Sequence, residues 1–202
     1  MNGQPHFEIV TNMTDQELWD QLRRGDKSAL ERIYRVHIEH LSEYGLRFSG
    51  NRPLIEDCIQ DLFVDLWQKR KKIRATDQIR PYLLVALRRR IVRALQKQSR
   101  RQDERPAEEL AFSVELAIDE LLIAEEVSEQ QSQQLQAAFS TLSTRQREAL
   151  YLRYYQGLSY DDIAEIMDLN NQSARNLSSS ALKRLRKHMT AGSYLLLFWL
   201  FF

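Results

Sequence analysis

Between Asn171 and His188, the residues Gln172, Arg175, Asn176, Ser179, Lys183 and Arg186 recur at three- and four-residue intervals. That spacing places them along one side of a helix. Their chemistry is recognition rather than bond breaking. Arginine and asparagine make paired hydrogen bonds to guanine and adenine edges, and lysine and arginine neutralise phosphate. A second set is purely cationic: from Lys69 to Arg105, fourteen lysines and arginines stand against three acids, a net +11 in 37 residues. That density fits a polyanion. A third set is acidic, with Asp57, Asp61 and Asp65 at i, i+4 and i+8. Stacked like charges cost about a few tenths of a kcal/mol per pair. Two readings stay open for this face: solvated carboxylates, or a surface that meets something basic.

No catalytic set emerges. There is no glycine-rich phosphate loop, and of the four histidines only His37 and His40 are paired at i, i+3, with Cys58 as the single thiol. We expect no metal site, no cofactor and no enzyme activity. Cys58 falls near the apolar side of its helix and reads as a small core residue.

Helices must position these sets. Apolar residues recur at three- and four-residue spacing from Thr14 to His188, with only six glycines and four prolines in 202 residues, so the fold class is all-α. Thr14 with Glu17 forms a capping box that starts the first helix, and Gly25-Asp26 divides it from a second running through Ala29, Ile33, Val36 and Leu41. In the third, Ile55, Ile59, Leu62 and Leu66 form one stripe, broadened by Phe63. A short loop, Ile73 to Gln78, precedes a helix with Pro81 in its first turn. There Leu83, Leu84, Leu87, Ile91 and Leu95 face inward, and Arg88, Arg89, Arg93, Lys97 and Arg100 face outward.

Ten acids against Arg105 alone between Asp103 and Glu129 read as an acidic linker. Beyond it, Ser143 caps a helix carrying Arg147, Glu148, Leu150 and Leu152. Ser159 and Asp162 then form a capping box for the short helix YDDIAEIM, with Ile163, Ile166 and Met167 inward and Ala164 small enough for a close crossing. Asp168-Leu169-Asn170 makes the turn, Asn170 or Asn171 caps the next helix, and Ala174, Ser178, Ala181 and Leu185 form its inner face. The pattern is a helix-turn-helix, although bundle proteins also contain short helix pairs.

These stretches, LSTRQREALYLRYYQGLSYDDIAEIMDLNNQSARNLSSSALKRLRK, PLIEDCIQDLFVDLWQKR and IRPYLLVALRRRIVRAL, resemble the extracytoplasmic-function subfamily of sigma-70 type RNA polymerase sigma factors, in the family's order and across roughly Thr14 to His188. The first is similar to region 4 and the other two to region 2. The resemblance implies that Asp57, Gln60, Asp61 and Asp65 dock on the basic coiled coil of the β′ subunit. It implies that the Ile73 to Gln78 loop, with Arg74, Thr76 and Asp77 and the following Arg80, captures a base flipped from the −10 element. Arg88, Arg89 and Arg93 would hold the −10 backbone, while Arg175, Asn176, Ser179 and Ser180 would face the −35 element. The linker would thread near nascent RNA. The implied partners are core RNA polymerase, through β′ and β, promoter DNA and a possible anti-sigma factor.

The expected architecture is two small helical domains, residues 10–102 for region 2 and 131–190 for region 4, joined by an acidic linker over 103–130 and followed by an apolar tail over 191–202. Without a signal-peptide pattern, and with one cysteine, the expected compartment is the cytoplasm. The tail, Tyr194 to Phe202, spans about 14 Å as a helix, too short to cross a bilayer. Docking within this protein or on a partner, or shallow membrane contact, is the expectation for it. The alternative function is a helix-turn-helix regulator that never joins polymerase. A repressor needs neither the aspartate stripe nor the basic, base-capturing segment.

Overall fold

The computed structural model of the chain describes residues 13–101, 112–113 and 129–188. Four helices make the first layer: α1 (Asp15–Arg24), α2 (Lys27–Leu46), α3 (Arg52–Lys69) and α4 (Ile79–Arg101). Their limits follow from local chemistry. Thr14 and Glu17 close the capping box on α1, whose end at Gly25 has φ 97°, a left-handed conformation that glycine adopts without a Cβ clash. Asp26 caps α2, and Asn51 caps α3 with Pro53 in its first turn. Helices α2 and α3 cross closely at Gly45, where a Cβ would lie 2.5 Å from Ile55 Cγ2. The stripes read from the sequence then bury together, with Trp19, Ile33, Leu41, Ile55, Leu83, Leu84, Leu87 and Ile91 at 0–1% exposure. Val36, by contrast, is exposed and Leu95 half-buried. Cys58 is buried on the core side of α3.

The second layer is α5 (Glu129–Ser140), α6 (Thr144–Leu150), a π-helical turn at Tyr151–Tyr155, α7 (Tyr160–Met167) and α8 (Asn171–His188). Capping boxes at Ser143/Gln146 and Ser159/Asp162 start α6 and α7. Asp168 breaks α7 with φ 54°, and Asn170 Oδ1 then accepts from Ser173 N at 2.7 Å to cap α8. Ala174, Ser178, Ala181 and Leu185 are fully buried, and α8 packs on α5, α6 and α7. The π turn was not legible in the pattern.

The two layers do not merely share a linker; they pack on one another. Helix α4 lies against α7. Tyr44 and Phe48 of α2 and its end meet Tyr151 in an aromatic cluster completed by Phe112, with centroid separations from 5.0 to 6.2 Å. Phe112 belongs to the segment expected to be a plain linker, yet it is 1% exposed, and Ser113 N donates to Arg47 O at 2.8 Å. The Arg47 guanidinium lies over Tyr151 and Tyr155, 5.0 and 5.8 Å from their centroids. Arg88 is the main correction to the sequence reading. Its side chain, expected to face outward, is 14% exposed and turned into this interface.

Candidate nucleic-acid and protein interfaces

The recognition helix is built from the turn outward. Because Asn170 and the left-handed Asp168 fix where α8 starts, Gln172, Arg175, Asn176, Ser179, Lys183 and Arg186 all emerge exposed on the face away from Ala174 and Ser178. Arg175 is steered by Asn171 Oδ1, which accepts from its Nε at 2.7 Å, and by the Tyr160 ring, 4.7 Å from the guanidinium. Gln172 donates to Asn176 at 3.0 Å. These are exposed groups with donors and acceptors on offer, as major-groove reading requires. Ser180 differs: it is half-buried, accepts from Gln146 Nε2 at 2.9 Å and donates to Leu177 O.

On α3, Asp57, Gln60 and Asp61 are exposed in a row. Asp65 has partners within the chain, Lys69 at 3.1 Å and Arg90 of α4. The Lys69 hydrogen bond, followed by the charge of Arg90, holds its carboxyl below the ordinary aspartate value. Beside the stripe, Leu30, Tyr34, Ile38, Phe63, Val64 and Trp67 line an open groove of about 730 Å³ between α2 and α3.

The loop between α3 and α4 is held from α1. Trp19 Nε1 donates to Arg74 O at 2.8 Å, and Asp15 Oδ2 accepts from Ile79 N at 2.9 Å, fixing both ends of the segment. Thr76 Oγ1 accepts from Gln78 N, tightening the turn. Arg74 and Asp77 remain exposed and Thr76 is half-buried. Trp19 and Asp15 were not singled out in the sequence as supports for the loop, since their partners lie 55 and 64 residues away.

Helix α4 distributes its cations unevenly. Arg89 and Arg93 are exposed. Arg80 Nη2 donates to Gln156 O at 2.6 Å. Arg88 makes a two-pronged pair with Glu148 of α6, Nε to Oε1 at 2.7 Å and Nη2 to Oε2 at 3.1 Å. Tyr44 Oη also donates to Glu148 Oε1, at 2.7 Å. Burial opposes the charge on Arg88, but the hydrogen bonds and charge of Glu148 outweigh it and raise its pKa. Burial, then the same carboxylate, push the Tyr44 phenol well above its ordinary value, so it stays a donor. Glu148 had been noted in the sequence only as a helix residue. The one available signal was a lone acid followed by the apolar run Ala149, Leu150, Tyr151 and Leu152.

Lys97 is exposed, whereas the side chain of Arg100, residues 102–111 and 114–128 and the tail lie outside the described residues. Among the described residues, no helix is long and apolar enough to cross a membrane.

Comparison with known proteins matches this arrangement twice. Residues 33–101 match the family model described as Sigma-70 region 2, and residues 132–185 the one described as Sigma-70, region 4. A curated relative, the ECF RNA polymerase sigma factor SigK of Mycobacterium ulcerans (strain Agy99), is 24% identical over 177 residues, covering 85% of this chain and 91% of its own. Two solved structures share the fold. One is CnrH in complex with the cytosolic domain of CnrY, with TM-score 0.58 and 16% identity over 86% of this chain and 95% of that chain. The other is the sigma factor RpoE in complex with the anti-sigma factor NepR from Bartonella quintana, with TM-score 0.54 and 21% identity over 78% of this chain and 94% of that chain.

Proposed function

The chain belongs to the sigma-70 family of RNA polymerase sigma factors, in its extracytoplasmic-function subfamily, and is a sigma factor; on that premise we propose how its surfaces divide the work of initiation. Region 2, residues 10–102, docks on core polymerase through Asp57, Gln60, Asp61 and Asp65, whose stripe runs along one exposed side of α3. The basic partner this stripe calls for is the β′ coiled coil. The loop carrying Arg74, Thr76 and Asp77, with Arg80 just beyond it, receives an unstacked base of the −10 element, and Arg88, Arg89 and Arg93 hold its backbone. A pinned loop suits this task, because a preformed receiver loses less to its own ordering and so retains more binding energy against the unstacking cost of about a few kcal/mol.

Region 4, residues 131–190, lays α8 into the major groove of the −35 element. Arg175 and Asn176 read base edges there, assisted by Gln172, Ser179 and Ser180, and Lys183 and Arg186 contact phosphate. Residues 103–130 link the two, and an anti-sigma factor is a further partner of the same surfaces. The protein performs no covalent step, and it acts in the cytoplasm, where core polymerase is.

The observation that carries this reading is the presence in one chain of an exposed acidic stripe, a buttressed basic loop segment and a helix-turn-helix with an outward polar face. Run-off transcription with core polymerase from the source organism, on a pool of upstream regions, tests it. Start-specific transcripts that depend on this protein and vanish when Asp57→Lys and Asp61→Lys are combined are the expected result. DNA binding without transcripts, beside a demonstrably active core enzyme, would overturn it in favour of a regulator that does not join polymerase.

A further inference from the structure

Arg175 is held by side chains that lie outside the row facing DNA. Its Nε donates to Asn171 Oδ1 at 2.7 Å, and Asn171 Nδ2 donates in turn to Asp161 Oδ1 at 2.6 Å. The guanidinium also lies 4.7 Å from the centre of the Tyr160 ring. The Arg153 guanidinium sits 4.8 Å from the centre of the same ring, and Arg153 is itself anchored, since its Nη1 donates to Leu158 O at 2.8 Å. Tyr160 and Asp161 open α7, whose start is fixed by the Ser159/Asp162 capping box. One edge and one face of the Arg175 guanidinium are therefore engaged by the first helix of the helix-turn-helix, directly or through Asn171. The terminal nitrogens Nη1 and Nη2 bond to none of the described residues.

A staple between two helices is not what this arrangement suits best. The crossing of α7 and α8 already buries Ile163, Ile166, Met167, Ala174 and Ser178, and a contact to an exposed arginine adds little to such a core. What it does change is the freedom of Arg175. An arginine loose in solvent spreads over many rotamers, and ordering it on binding subtracts from affinity. Engaging Nε and the π face leaves open the two terminal N–H groups that match O6 and N7 of guanine. Adenine sets its N6 donor against the same fork, and a guanidinium held on a ring cannot swing to phosphate without leaving it. Lys183, assigned to phosphate, has no such support among the described residues.

We propose that Tyr160, with Asn171 and Asp161, positions Arg175 toward a guanine of the −35 duplex, so that base preference at that pair is set from α7 as well as from α8. The proposal rests on the assignment of Arg175 to base reading. Tyr160 and Asp161 are positioning residues that act through the guanidinium.

Competition binding by the full chain, on the −35 duplex of a mapped promoter and on each of its single-base variants, tests this. Arg175→Ala locates the pair that Arg175 reads, as the one position where preference collapses, and that pair is expected to be guanine with cytosine. Tyr160→Leu should cut preference at the same pair about fivefold, while preference elsewhere and affinity for unrelated duplex stay within about twofold. Tyr160→Phe keeps the ring and should keep the preference. Adding Tyr160→Leu to Arg175→Ala should cost nothing more at that pair, because the ring acts only through the arginine. Should thermal melts show that Tyr160→Leu does not fold, Asp161→Ala, at an exposed position, frees Asn171 and must lower preference at the same pair. Full preference in whichever of these variants folds, an equal fall at every position, or a base pair without guanine would overturn the proposal. If Arg175→Ala left every preference intact, the base-reading assignment would fall, and the positioning role with it.

Discussion

Helix α8 exposes Arg175, Lys183 and Arg186, and Arg175 contacts Asn171 and Tyr160 of its own layer. Helix α4 has Arg80 bonded to Gln156 O, Arg88 to Glu148 and Arg90 to Asp65, and leaves Arg89 and Arg93 exposed. Both helices are basic, but only one presents its recognition face unobstructed. The difference teaches that charge density counted along a sequence measures capacity for nucleic acid, whereas availability depends on where the counterions sit. For α4 the fold already provides counterions, Glu148 for Arg88 and Asp65 for Arg90.

The contrast is broken most strongly by removing what holds the layers together. Phe112→Ala deletes a fully buried ring from the cluster of Tyr44, Phe48 and Tyr151, and the expected loss is about 3–5 kcal/mol of unfolding free energy. Chemical denaturation should then show the two layers melting separately. A single unchanged transition would mean that Phe112 adds nothing to the contact. On the unobstructed side, Arg175→Ala should weaken −35 duplex binding by about 1–3 kcal/mol and relax preference at one base pair, measured by competition among single-base variants. Lys183→Ala should lower affinity evenly across sequences and reduce the slope of log affinity against log salt by about one. If the two substitutions behaved alike, α8 would not be dividing base reading from phosphate contact.

The smallest effect concerns acid. His37 is buried beside Asp15, Arg80 and His40, and burial is the main cause that lowers its pKa below the ordinary 6.5, with Arg80 and His40 acting in the same direction and Asp15 against them. Below that ordinary value the unfolded chain binds more protons than the folded one, so stability falls as pH drops through 6.5 toward the lowered value. Thermal melts of the native chain should show this modest fall, and His37→Gln should flatten it. An identical pH dependence in both would remove His37 from the account.

Local chemistry was the most legible part of the fold. The capping boxes at Thr14/Glu17 and Ser159/Asp162, and the inner faces of α3 and α8, follow from spacings of three and four residues that the sequence displays directly. The outward faces of α8 and of Asp57 and Asp61 were legible for the same reason. What escaped depends on partners far along the chain. Glu148 lies 60 residues from Arg88 and 104 from Tyr44, and nothing near it in sequence states that it will be buried with them. Arg88 was read as outward because it faces away from the α1–α4 core, and a second layer covers that side. Phe112 stood among acids whose density outweighed a single ring.

The most direct measurement is the affinity of the free protein, and of the protein with core polymerase, for two probes from a mapped promoter: a −35 duplex and a single-stranded −10 oligonucleotide. The account predicts that the free protein binds the −35 duplex measurably and the −10 strand poorly, and that core polymerase brings −10 binding up. Tight −10 binding by the free protein, unchanged by polymerase, would contradict it.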